Sequence, residues 1–124
     1  MKSNLVILTV DDDMINLKLL NSMLKKSELV KEVVEVKNGA DAISELKNRK
    51  DIDLVLLDII MPIMSGIEML RVVHADKNLK KVPIIVLTTD ETKKSEALEC
   101  GANGFLMKPI RNDELLKKIK LVVI

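Results

Sequence analysis

Leu5-Val6-Ile7-Leu8-Thr9-Val10 runs without a break into Asp11-Asp12-Asp13, and this stretch decides the fold. A short, β-branched, almost wholly apolar run reads as a strand buried on both faces. Leu54-Val55-Leu56-Leu57 repeats the pattern and stops at Asp58, followed by Ile59-Ile60-Met61-Pro62. A carboxylate at the end of a buried strand sits at the rim of the sheet. Two such rims side by side bring at least three carboxylates together. At about 4 Å and an effective dielectric near 20, each pair repels by about 4 kcal/mol. Grouped anions on that scale need a cation among them or a proton on one of them. The pattern therefore points to a metal site.

Strand-like and helix-like segments alternate outward from these two runs. Ile15, Leu19, Leu20, Met23 and Leu24 fall on one helical face. Val33 to Val36 reads as a second strand, and Asn38-Gly39 as a turn. Ala42, Ile43 and Leu46 carry a second helix that ends among Lys47, Arg49 and Lys50, where basic side chains suit the helix dipole. Asp53 to Leu57 forms a third strand. Pro62 and Ser65-Gly66 mark a loop before a helix face of Met69, Leu70 and Val73. Pro83 opens a fourth strand, Ile84 to Leu87. Glu91 to Cys100 reads as a fourth helix closed by Gly101. Gly104 to Met107 is a fifth strand, and Asn112 caps a last helix bearing Leu115, Leu116 and Ile119. Five β/α units with short connections predict an α/β fold: a five-stranded parallel sheet, doubly wound, with helices on both faces.

Composition narrows the function. A chain of 124 residues suits one domain, and 48% hydrophobic residues suffice for a packed core. Lys+Arg is 20 and Asp+Glu is 19, a net charge of +1, so no global field recruits nucleic acid or an anionic membrane. There is no Trp or Tyr and Phe105 is the single Phe, which disfavours base stacking. No run approaches the roughly 20 apolar residues of a membrane helix. The opening Met1-Lys2-Ser3-Asn4 shows no cleavable leader pattern. The lone Cys100 excludes an internal disulfide and suits a reducing, cytoplasmic setting.

In doubly wound sheets the ligand crevice lies at the carboxyl ends of the strands. Strand one ends in Asp11-Asp12, strand three in Asp58, strand four in Thr88-Thr89 and strand five in Lys108-Pro109. Clustered carboxylates suit a hard divalent cation, and Mg²⁺ takes one or two of them with water and phosphate oxygens. A lysine and a hydroxyl beside it suit an anion that the metal also touches, and a phosphoryl group satisfies all three.

These residues together resemble the receiver domain of two-component response regulators, the CheY-like family. The resemblance rests on Val10-Asp11-Asp12, Asp58 with Met61-Pro62 and Gly66, Thr88, and Lys108-Pro109, in this order and each at a strand end. It covers nearly the whole chain, as a single receiver domain over 1–124. It implies the flavodoxin-like strand order 2-1-3-4-5 and five helices in three layers. It implies that Asp58 is the phosphoacceptor, that Asp12, Asp58 and the backbone carbonyl of Ile60 ligate Mg²⁺ (or Mn²⁺), and that Asp11 acts mainly through metal-bound water. It implies that Lys108 neutralises phosphoryl oxygens, that Thr88, beside Thr89, donates its hydroxyl to them, and that Phe105 reports the event by its rotamer. Lys108-Pro109 resembles a bond that is cis in the family. The implied partners are a histidine kinase or phosphotransfer protein and a downstream protein target or attached output domain. Dimerisation through the face of the fourth helix, fifth strand and fifth helix is a further expectation. The chain would modify itself rather than turn over a free substrate, and so is not an enzyme in the usual sense.

The chain departs from the family pattern in four places. Phe105 stands where Tyr is commoner and has no hydroxyl to bond. Thr89 is bulkier than the usual Ala or Gly and narrows access to Asp58. Ile60 and Asp90 occupy the positions that tune loss of the phosphoryl group. Ile60 offers nothing to orient an attacking water, so slow self-dephosphorylation is expected, and Ile60→Asn should accelerate decay of the phosphoprotein.

Structural roles account for other residues. Asp13 reads as a helix N-cap. Lys108 gains its significance only from its place after Phe105-Leu106-Met107, which looks buried. His74 reads as solvent-facing, Cys100 as a small packed residue, and the seven methionines as core fillers and loop contacts. Lys80-Lys81, Lys93-Lys94 and Lys117-Lys118 read as solvated faces. A Mg²⁺-dependent phosphatase would want a second Asp two residues after Asp58, where Ile60 stands. A flavodoxin-like cofactor binder would want a Gly-rich loop and aromatics. A degenerate receiver would lack part of the set Asp11, Asp12, Asp58, Thr88 and Lys108.

Overall fold

The computed structural model describes residues 4–59, 61 and 64–123. Chain order runs β1 (Leu5–Val10), α1 (Met14–Lys25), β2 (Val30–Val36), α2 (Gly39–Asn48), β3 (Leu54–Asp58), α3 (Gly66–Ala75), β4 (Ile84–Thr88), α4 (Lys94–Glu99), β5 (Gly104–Met107) and α5 (Asn112–Val123). Single 3₁₀ turns at Leu79–Lys81 and Glu91–Lys93 lead into β4 and α4. The strands form one parallel sheet in the order β2-β1-β3-β4-β5, as expected.

Alternation along the central strands divides the core between the two faces. Val6, Leu8, Val10, Val55, Leu57 and Val86 pack against α2 and α3. Leu5, Ile7, Leu54, Leu56, Ile85 and Leu87 pack against α1 and α5 through Leu20, Leu24, Leu115 and Ile119. β1, β3 and β4 are buried along their whole length. Truncating a side chain such as Leu56 to Ala would cost about 2–5 kcal/mol.

The register sets the rim. Val10 lies opposite Leu57, Asp58 opposite Leu87, and Thr88 opposite Met107. Asp11 therefore emerges beside Asp58, with Thr88 and Lys108 one step further along their strands. Local signals hold the connections in place. Asp13 caps α1, its Oδ1 accepting from the Ile15 N–H at 2.9 Å. Ser65 and Glu68 form a capping box that starts α3. At Gly66 a Cβ would lie 2.6 Å from the Asp58 carbonyl oxygen and the Ile59 Cα, so only glycine lets α3 begin this close to the end of β3. Gly101, at φ +107°, closes α4. Its N–H donates to the Leu98 carbonyl and that of Ala102 to Ala97, the Schellman pattern.

Several expectations change. Ile15 and Leu19 are 70% and 60% exposed, because Leu17, Leu20 and Leu24 form the buried stripe of α1. β2 begins at Val30 rather than Val33; it is an edge strand whose Lys31 and Glu32 face solvent, which breaks the apolar signature. β3 runs Leu54–Asp58, while Asp53 stands before it and its carboxylate accepts the Val6 N–H at a register shift in β1. Asn112 lies inside α5, since the Leu115 N–H already donates to the Arg111 carbonyl. Met107 is 39% exposed on the edge strand β5 rather than buried.

At the amino ends of the strands Arg49 bridges two carboxylates. Its Nη1 and Nη2 donate to Glu32 at 2.9 and 3.0 Å, and its Nε and Nη2 donate to Asp51 at 3.0 and 2.7 Å.

Candidate functional site

At the carboxyl rim, oxygens of Asp11, Asp12 and Asp58 lie within 4.8 Å of one another. Asp11 and Asp58 are buried and Asp12 is exposed. Asp11 is held at both oxygens. Oδ1 accepts the Asp13 N–H at 2.9 Å, and Oδ2 accepts from Lys108 Nζ at 3.1 Å. The same ammonium stands 3.5 Å from Asp58 Oδ1. Among the described residues it is the cation paired with this cluster, so the carboxylates outnumber their counter-charge.

The electrostatics record the imbalance. Burial pushes the Asp58 carboxyl up to about 6, and the neighbouring Asp11 and Asp12 charges push the same way. Lys108 acts in the opposite direction and only partly offsets them.

Thr88 is almost wholly buried; its Oγ1 accepts the Asp90 N–H at 3.2 Å. Its carbonyl accepts the Lys108 N–H at 2.8 Å, which ties the end of β4 to the residue after β5. The Lys108–Pro109 peptide is cis. Thr89 is exposed and lines the cleft with Asp11, Asp58, Thr88 and Lys108. Phe105 is half-buried, with Lys94 Nζ 6.0 Å from its ring centroid. The structure thus brings Asp11, Asp58, Thr88, Thr89 and Lys108 to one cleft, with Asp12 joining Asp11 and Asp58 in the acidic cluster. Phe105 sits outside the lining, and the Ile60 carbonyl lies outside the described residues.

The donor set fits a hard divalent ion. It offers clustered carboxylate oxygens, short of positive charge, with an open side at Asp12. The lysine and threonine fit phosphoryl oxygens. The cleft also has a wall that sequence reasoning missed: Asn16, Leu19, Leu20 and Met23 of α1, with Ile110. The signal was the apolar arc on α1, wider than one buried stripe needs.

A family model described as "Response regulator receiver domain" matches residues 7–120. This chain belongs to the response regulator receiver family. Receivers are phosphorylation-dependent signalling switches that work with histidine kinases. Protein PilH of Pseudomonas aeruginosa is 34% identical over 119 residues, covering 94% of this receiver and 96% of PilH. Chemotaxis protein CheY4 of Vibrio cholerae superposes with a TM-score of 0.86 at 30% identity, covering 97% of this chain and 99% of CheY4. The receiver domain of the sensor histidine kinase PA1611 from Pseudomonas aeruginosa, at TM-score 0.86 and 27% identity, covers 98% of each chain and holds a magnesium ion in its active site cleft. Other relatives are much longer. This receiver spans 18% of an Arabidopsis thaliana response regulator and 5% of hybrid signal transduction histidine kinase M of Dictyostelium discoideum. Among the described residues no helix is long and apolar enough to cross a membrane.

Proposed function

We propose that Asp58 accepts a phosphoryl group from a histidine kinase, a phosphotransfer protein or a small phosphodonor, with Mg²⁺ (or Mn²⁺) in the acidic cluster. The observation that carries this is the Lys108 ammonium held between Asp11 and Asp58 beside a surplus of carboxylates. Asp12 and Asp58 would hold the ion directly, with the Ile60 carbonyl, and Asp11 through water. When bound, the ion neutralises the carboxylates and withdraws charge from phosphoryl oxygens.

The chain's own groups do the rest. An Asp58 oxygen attacks phosphorus as the bond to the donor atom breaks, and the leaving group departs with that electron pair. Lys108 holds a phosphoryl oxygen and, with its Asp11 contact, keeps that oxygen oriented. The Thr88 hydroxyl now accepts from the Asp90 N–H, which leaves its own proton to donate to the new phosphoryl group. The Thr88 carbonyl's bond to Lys108 carries that rearrangement to β5 and Phe105. The face of α4, β5 and α5, where Leu98 and Met107 are exposed, then changes shape for a protein target, an attached output domain or a second receiver. On this reading the chain acts in the cytoplasm, binds neither nucleic acid nor membrane directly, and catalyses only its own modification.

Incubation with phosphoramidate and Mg²⁺, followed by intact-mass measurement, tests this. One added phosphoryl group is expected, and it should be absent without Mg²⁺ and absent in Asp58→Asn. An unchanged mass in folded wild type, or a gain that survives Asp58→Asn, overturns the reading.

A further inference from the structure

The phosphorylation cleft is larger than its chemistry requires. It encloses about 550 Å³, and its polar end is Asp11, Asp58, Thr88, Thr89 and Lys108. The rest of its lining is Asn16, Leu19, Leu20 and Met23 of α1 with Leu87, Pro109 and Ile110, an arm between α1 and the segment after β5 that is apolar except for Asn16. None of these seven side chains carries a charge, and Leu19 is 60% exposed.

We propose that this cleft takes acyl phosphates with a hydrocarbon chain of several carbons, the phosphoryl group at Lys108 and Thr88 and the chain in the arm. Both ends of such a donor are matched: a dianion faces the ammonium, and alkyl surface faces alkyl surface. The inference rests on Asp58 being the phosphoacceptor. The step balances without a co-reactant. An Asp58 carboxylate oxygen bonds to phosphorus, the phosphorus–oxygen bond to the acyl group breaks, and the acyl group leaves as a carboxylate anion with that electron pair. Charge is conserved and no proton is transferred.

Chain length then becomes a specificity variable. Burying one methylene is equivalent to about a fourfold gain in the second-order rate constant, and two to about fifteenfold. Acetyl, propionyl and butyryl phosphate are the probes, because their leaving carboxylates are similar in basicity. Each is incubated with the protein and Mg²⁺, and the growth of phosphorylated mass is followed. The expected result is a stepwise rise from acetyl to butyryl. In Leu19→Gln, which places an amide in the arm at an exposed helical position, the butyryl-to-acetyl ratio should fall towards one. The ratio is internal to each protein, so partial loss of active material does not move it. Equal or falling rates with chain length, while acetyl phosphate still reacts, overturn the inference and leave the phosphoacceptor reading intact. A rise that Leu19→Gln preserves overturns the assignment to the arm. If no donor modifies Asp58, the phosphoacceptor reading fails and this inference fails with it.

Discussion

Two charge clusters sit at opposite ends of the same sheet, each built around one cation between carboxylates. At the amino end Arg49 donates to both oxygens of Glu32 and both of Asp51. The carboxylates there are exposed, and hydrogen bonds from Arg49 hold both below the usual carboxylate range. At the carboxyl end Lys108 is a compact charge shared by Asp11 and Asp58, with Asp12 beside them and burial working against ionisation. There Asp58 is pushed up to about 6. A planar guanidinium can match two carboxylates, whereas one ammonium among three cannot. The amino-end cluster is complete as it stands, and the rim cluster is built to be completed from outside.

The largest expected difference between the clusters is kinetic. Lys108→Met should slow phosphorylation by phosphoramidate by about 10²–10³-fold, the usual cost of losing one oriented donor to developing charge. Arg49→Met should change it less than about twofold on the same scale. Comparable losses in both variants would erase the distinction.

Stability gives the next contrast. The folded value of Asp58 lies above that of an unfolded aspartate, so its contribution is full below about pH 4 and is lost as pH rises through about 6. The shift corresponds to about 3 kcal/mol. Asp58→Asn should therefore raise the melting temperature at pH 7 by several degrees and flatten the decline between pH 4 and 6. Glu32 and Asp51 run the other way: their contribution is present above the ordinary carboxylate range and is lost as pH falls through their lowered values. Asp51→Asn should lower the melting temperature at pH 7.

Mg²⁺ should act at one end only. At a hundredfold excess over its Kd a ligand stabilises the folded state by about 2.7 kcal/mol. Thermal melts should rise with Mg²⁺ in wild type and in Arg49→Ala, and much less in Asp12→Asn. The smallest effect is that of Arg49→Ala alone, a slight fall in melting temperature, because exposed ion pairs contribute little.

Much of the rim was legible in the sequence. β1, β3 and β4 are buried on both faces, so their apolar runs are unbroken and their last residues are easily located. Asp11 just after β1, Asp58 closing β3 and Thr88 closing β4 followed directly, and Lys108 followed from the shorter run of β5. Features that depend on distant partners were not legible. Nothing local in Glu32, Arg49 and Asp51 announces that they meet, since Glu32 lies 17 residues from Arg49. Edge strands also hid: the alternation of β2 and the exposure of Met107 on β5 reflect the lack of a neighbour on one side. The apolar arm was misread because Leu19 fits a helical face equally well as core or as cleft wall. Only the packing of Leu17, Leu20 and Leu24 decides between them.

The central claim is that the rim cluster lacks positive charge that Mg²⁺ restores, while the Arg49 cluster does not. A carboxyl ¹³C NMR titration of the unphosphorylated protein, with and without Mg²⁺, measures both at once. In the absence of Mg²⁺ Asp58 should titrate near 6. Saturating Mg²⁺ should move it well below that value, while Glu32 and Asp51 titrate low in both conditions. An Asp58 midpoint in the ordinary carboxylate range without Mg²⁺, or one that Mg²⁺ leaves in place, would contradict the account.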